Sequence, residues 1–192
     1  MPVADALEAT LVVAEILERL GVPYLVGGSL ASSVHGIPRA TQDADVVADL
    51  RIEHVDSLVA ALGDGWYADG DMIRDAVRRR ACFNIVHLAT MFKVDVFVLT
   101  GSREQQREMQ RRVRMTLGED PGREVFVASP EDVVLMKLDW YRLGEGASDR
   151  QMRDVIGVIQ VQGGALDMEY LRESAREMDL VDLLEKAVEE AG

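Results

Sequence analysis

The 192-residue chain is 48% hydrophobic but only 5% aromatic, enough for one domain, or a domain with a helical extension, packed mainly by aliphatic side chains. Its net charge of −13 argues against passive nucleic-acid binding, because phosphate contacts supply the affinity of such binders. The lone Cys82 excludes an intrachain disulfide, no apolar run reaches the roughly 20 residues that span a membrane, and no signal peptide is evident, so a cytosolic setting is expected.

Leu7, Leu11, Ala14 and Leu17 fall at helical spacing and predict a helix over 5–20, stopped by Gly21 and Pro23. Tyr24-Leu25-Val26 reads as a short buried strand. Gly27-Gly28-Ser29 follows at once, with a short helix over 29–35 ended by Gly36. A loop leads to a strand over 43–48, and Ile52, Val55, Leu58, Val59 and Leu62 predict a helix over 52–62. Phe83–Leu88 and Lys93–Leu99, joined by a short link, predict an antiparallel hairpin. A polar helix around 102–113 and a strand at 124–128 complete an α/β half, about 1–128.

Composition then changes. Ser129-Pro130-Glu131-Asp132 is a helix start, with serine as N-cap, proline at the first helical position and acids in the first turn. Ser148 with Gln151 matches a capping box, and Gly144, Gly146, Gly163 and Gly164 punctuate further helices. The expected fold class is α/β (α+β): a mixed, partly antiparallel sheet flanked by helices, with a helical C-terminal region over 129–192.

Three stretches carry chemistry. Asp43 and Asp45, two apart on a strand, point to one face and can reach one hard cation. Adjacent carboxylates repel unless a proton or metal lies between them, and Mg²⁺ takes oxygen ligands while keeping positions open for phosphates. Asp95 sits inside an apolar strand, where a charge is costly unless paired, either with metal or with Lys93 in a simple ion pair. Gly27-Gly28-Ser29 allows close backbone approach, and a helix starting at Ser29 aims N–H groups at an anion.

A small Gly-Gly-Ser turn, then Asp-x-Asp, then a third acid on a later strand resembles the polymerase-β-like nucleotidyltransferase superfamily. The thirteen residues between Ser29 and Asp43 lie at the long end of that family's range. Phe83–Val86, Lys93–Phe97, Lys137–Arg142, Ser148–Gln151, Asp154 and Leu166–Leu171 are similar to a bacterial group of small nucleotidyltransferase-like proteins. A more distant likeness is to the AbiEii-type toxins, with Lys137 and Asp154 matching by position and Ser148-Asp149 standing where those toxins have Lys-Asp. The resemblance implies transfer of a nucleoside monophosphate from an NTP to a hydroxyl on a protein, a tRNA or a small molecule. Asp43, Asp45 and Asp95 would hold Mg²⁺, Asp95 alternatively taking the proton of the attacking hydroxyl. Gly27, Gly28, Ser29 and Lys137 would hold the triphosphate. A cognate toxin or antitoxin partner is a further implication. Rival readings are a non-catalytic, antitoxin-like binding protein and a kinase-like phosphotransferase toxin.

Other residues invite local accounts. Asp154 is placed to form an i,i+4 ion pair with Arg150. Arg103, Arg107, Arg111 and Arg114 share a helical face, and Arg78-Arg79-Arg80 form a second basic cluster; solvated faces are the expectation for both. His35, His54 and His87 show no metal spacing, Ser32 and Ser33 near His35 form no triad, and Trp140 and Tyr141 are expected to pack between the halves.

Overall fold

The computed structural model describes residues 3–117, 123–144 and 149–192, with backbone alone for 3–6. In chain order the elements are α1 (Val3–Arg19), β1 (Tyr24–Val26), α2 (Gly28–His35), β2 (Asp43–Ala48), α3 (Val55–Leu62), β3 (Trp66–Tyr67), α4 (Gly70–Arg79), β4 (Cys82–His87), β5 (Phe92–Val98), α5 (Arg103–Arg111), β6 (Val113–Thr116), β7 (Glu124–Val127), α6 (Pro130–Leu143), α7 (Asp149–Gln162), α8 (Met168–Glu177) and α9 (Val181–Ala191). The chain divides into two compact units: one through Gly27 and over Ala40–Ala128, the other over Gly28–Arg39 and Ser129–Gly192.

The first unit is built on a seven-stranded sheet of order β3-β4-β5-β2-β1-β7-β6. β2 runs parallel to β5 and β1 parallel to β7, while the remaining neighbours are antiparallel, so the sheet is mixed. Phe92, Val94, Val96 and Val98 are buried and alternate with half-exposed Lys93, Asp95 and Phe97, the two-residue period of a strand with one apolar face. Helix α1 crosses β2, β5 and β7 and also meets α3. It ends because Gly21 turns the chain at φ 67, letting Val22 N–H reach Leu17 O at 2.9 Å. Fully buried Tyr24 ties three elements together: its hydroxyl donates to Glu18 Oε1 at 2.9 Å and accepts from Phe126 N–H at 3.3 Å. Its ring meets that of Phe126 edge-on at 5.9 Å.

Several sequence expectations change here. The helix expected over 52–62 opens as a 3₁₀ turn, Ile52–His54, before α3. β3 and α4 occupy a stretch the apolar pattern left unread, because β3 has two residues and α4 buries only Ile73, Ala76 and Val77. Asp69 caps α4 by accepting from the amides of Asp71 and Met72. The polar helix stops at Arg111, and Arg114 lies on β6, not on that helix face. There it pairs with Glu18 at 3.1 Å and Glu124 at 3.5 Å.

The second unit is all helical. Ser129 caps α6 by accepting from Asp132 N–H at 3.2 Å, and its hydroxyl donates to Asp132 Oδ2 at 2.7 Å. Tyr170 on α8 donates to the other oxygen of Asp132 at 2.6 Å, so a buried acid in the first turn of α6 is satisfied from two elements. Helix α2 packs on α6 and α7. Its exit is a backbone-to-backbone contact: a Cβ on Gly36 would stand 2.8 Å from Val158 N and 2.9 Å from Gly157 C. The capping box expected at Ser148 lies outside the described residues.

Candidate active site

The parallel register of β2 and β5 sets Asp43 opposite Lys93 and Asp45 opposite Asp95. Partners in register point to the same side of a sheet, as do residues two apart on one strand. All three acids therefore share one face, the one opposite buried Ala44, Val46, Val94 and Val96. The antiparallel pairing of β1 with β2 continues one residue past the strand, with Gly27 N–H donating to Asp45 O at 2.8 Å. The glycine turn thus leaves the sheet directly beside the middle acid.

The donor set is three carboxylates on adjacent strands at about 4.8 Å spacing, hard oxygen ligands that suit Mg²⁺. Among the described residues, however, no three His, Cys, Asp or Glu side chains converge as metal ligands. Lys93 Nζ lies 2.7 Å from Asp95 Oδ2, and Asn84 Nδ2 donates to Asp95 Oδ1 at 3.0 Å. Asp43 accepts from the Thr41 hydroxyl at 3.1 Å. The Lys93 ammonium is held above its ordinary range, first by the hydrogen bond to Asp95 and further by the charges of Asp95, Asp43 and Asp45, against the opposing effect of burial. A cationic group already stands where the trio concentrates negative charge, which is what a cation site requires of its surroundings. The ion pair weighed for Asp95 is the arrangement present. On the neighbouring strand, the Cys82 thiol is pushed up to about 11, first by desolvation and then by the charges of Asp95 and Asp45.

A second polar cluster lies wholly within the helical unit. Asp154 on α7 accepts from Arg39 Nε and Nη2, both at 2.9 Å, from Lys137 Nζ at 2.8 Å, and from the Ser32 hydroxyl at 3.3 Å. Arg39 Nη2 also donates to Ser29 Oγ at 2.6 Å. Ser33 fixes the backbone here, its hydroxyl donating to Ser29 O at 2.9 Å and accepting from Arg39 N–H at 3.3 Å. Burial alone would push the Asp154 carboxyl up, but the hydrogen bonds and charges of Arg39 and Lys137 outweigh it and hold the carboxyl below its ordinary range. The side chains of Lys137 and Asp154 are 6% and 7% exposed, whereas that of Arg39 is 27% exposed. Asp154 thus receives two cationic side chains, Arg39 and Lys137. Gly28 opens α2 at φ 58, a conformation that favours glycine.

The local pair expected between Arg150 and Asp154 is replaced by these partners: Asp154 is turned into the unit, while Arg150 is exposed. The Gly-Gly-Ser turn pointed to Ser29 and the family resemblance to Lys137, but nothing pointed to Arg39, whose partner stands 115 positions away. Arg80 ends α4 in a left-handed conformation and donates to Leu99 O, and Arg79 pairs with Asp75, so both serve local structure. Trp140 is 57% exposed and packs in no core. His87 bonds to Thr90 and its ring meets that of Trp66 at a tilt of 53°, while His54 accepts from Arg51 N–H.

No family model matches this chain, and a search among curated proteins finds no match. Solved structures do. The antibiotic-resistance factor ANT(2'')-Ia in complex with adenylyl-2''-tobramycin aligns at TM-score 0.57 and 15% identity, over 90% of this chain and 97% of that one. An antigenic nucleotidyltransferase-like protein from Paracoccidioides brasiliensis aligns at TM-score 0.55 and 18% identity, over 96% and 93%. The lincosamide antibiotic adenylyltransferase LnuA, bound to lincomycin, aligns at TM-score 0.51 and 13% identity, over 77% and 92%. The mixed sheet flanked by helices is therefore a nucleotidyltransferase fold.

Proposed function

We propose that this chain is a divalent-metal-dependent nucleotidyltransferase that moves a nucleoside monophosphate from an NTP to the hydroxyl of a small molecule, with pyrophosphate leaving. The observation that carries the reading is the register that sets Asp45 opposite Asp95, with Asp43 on the same face and Gly27 bonded to the backbone of Asp45. Asp43, Asp45 and Asp95 are the residues that would hold Mg²⁺. When bound, the metal supplies positive charge against the negative charge that develops on the phosphate oxygens. Asp95, the carboxylate of β5, is also the group suited to take the acceptor's proton.

The backbone of Gly27 and Gly28, the Ser29 hydroxyl, and the cations Arg39 and Lys137 are the groups we assign to the triphosphate. Arg39 is the more exposed of the two and already reaches Ser29 Oγ. Its planar fork suits phosphate, and Asp154 holds it in one orientation. Such a site works mostly by positioning and by neutralising charge. The small-molecule acceptor is favoured over RNA by the charge of −13, and by neighbours of this fold whose structures contain tobramycin- and lincomycin-type molecules.

The test uses ATP labelled at the α- or the γ-phosphate, Mg²⁺, and panels of hydroxylated antibiotics, tRNA and protein. Label should move from the α position only, and Asp45→Asn should slow transfer by roughly a hundredfold or more. Transfer of γ-label would instead identify a phosphotransferase. One observation favours a second reading: the Lys93–Asp95 pair is the arrangement expected of a non-catalytic binding protein of this fold. Equal, negligible turnover in wild type and Asp45→Asn would support that reading.

A further inference from the structure

Lys93 is one of only three lysines in a chain with eighteen arginines, so a lysine here stands out from the basic side chains used elsewhere. It shares a sheet face with the three acids, opposite Asp43 in register and two residues before Asp95 on the same strand. Two adjacent strands thus present a block of three negative groups and one positive group. Carboxylates at strand spacing repel one another, and the ammonium offsets part of that repulsion.

Both oxygens of Asp95 are engaged. Oδ2 faces Lys93 Nζ at 2.7 Å, and Oδ1 accepts from the Asn84 amide at 3.0 Å. Each oxygen keeps a second lone pair, so what a hard cation recruiting Asp95 meets is a conflict of charge with one of these two and not a shortage of acceptor sites. Asn84 is a neutral amide directly opposite Asp95 in the β4–β5 pairing, a neighbour compatible with a metal-bound carboxylate. Lys93 carries the like charge, on a flexible stem whose side chain is 41% exposed and free to swing toward solvent.

We propose that Lys93 is a built-in counter-cation: it holds Asp95 while the site is metal-free and must release that carboxylate when a divalent ion takes it as a third ligand. The inference rests on the metal reading above. It makes the metal-free sheet tolerable and metal affinity weaker than three carboxylates alone would give.

The experiment measures Mn²⁺ binding to the full chain from the EPR signal of free Mn²⁺. Lys93→Met should bind roughly three- to fivefold tighter than wild type, the worth of one partly screened ion pair. Lys93→Arg, which keeps the charge, should stay close to wild type. A second readout needs no variant: in chain carrying ¹³C-labelled lysine, saturating Mg²⁺ should shift the ε-carbon signal of Lys93 and leave that of Lys186 in place. Unchanged affinity in Lys93→Met, or a Lys93 signal unmoved at saturation, overturns the inference while leaving the metal reading intact. Asp45→Asn separates the two: if it binds Mn²⁺ as wild type does, the ion sits elsewhere, and the metal reading fails and takes the inference with it.

Discussion

Replacing Asp154 by alanine isolates the energetics of the helical unit. The substitution removes the carboxylate that Lys137 and Arg39 share, and the Lys137 side chain, 6% exposed, cannot be rehydrated without opening the helices around it. Arg39, at 27% exposure, can recover water. The main cost is therefore the break of the buried Lys137–Asp154 pair, about 3–5 kcal/mol on the scale of broken buried pairs. For a chain of this size that lowers the melting temperature by roughly 10 °C. Urea denaturation followed by far-ultraviolet circular dichroism at pH 7 measures it. Adding Lys137→Met should recover much of the loss, because the second change removes the buried charge that Asp154 offset. The pH dependence has a fixed sign: the carboxyl is depressed in the folded chain, so its contribution is full above the ordinary carboxylate range. It is lost as pH falls through the lower folded value. The gap between wild type and Asp154→Ala should be flat from about pH 5 to 8 and close below about pH 4. A loss under about 1 kcal/mol at pH 7, as for an exposed pair, would refute the reasoning.

Gly36→Ala should destabilise by about 1–3 kcal/mol, since its Cβ would press on the backbone of Gly157 and Val158. Gly164→Ala, with open space around it, should be neutral or slightly stabilising; equal melting temperatures for the two variants would contradict the contact. At pH 8.5, Cys82 should alkylate with iodoacetamide roughly tenfold more slowly than a small free thiol: pushed up to about 11, it is roughly a hundredfold less ionised, while its thiolate is roughly tenfold more nucleophilic. A rate like that of the free thiol would show that neither burial nor the charges of Asp95 and Asp45 raise this thiol.

The carboxylate face was legible because strands write their faces into alternate positions. Asp43 and Asp45 alternate with Ala44, and Asp95 interrupts Val94, Val96 and Val98, so the acids announce themselves as the half-exposed set. The pairing of β2 with β5 follows from neither pattern alone, since their register is set across nearly fifty positions. Asp154 shows the opposite case. Its nearest plausible partner in sequence was Arg150, one turn away, whereas burial selected Arg39 and Lys137. Helical spacing describes neighbours on one helix and is silent about which distant segment covers it. Helix α4 escaped notice for a simpler reason: Ile73, Ala76 and Val77 fall at i, i+3 and i+4, a stripe of only three side chains and little more than one turn among arginines and aspartates.

The membership of α2 in the helical unit governs how the chain can assemble. Its eight residues leave the ribosome about a hundred positions ahead of α6 and α7, on which they pack. At ordinary elongation rates that is a wait of roughly 5–25 seconds. Through that interval the loop-bearing segment has its flanking strands but none of its helical partners. A nascent chain halted near Ala128 would thus hold the acids of the sheet without the carboxylate that orients Arg39, and synthesis of the last sixty-odd residues is what completes the cluster around Ser29.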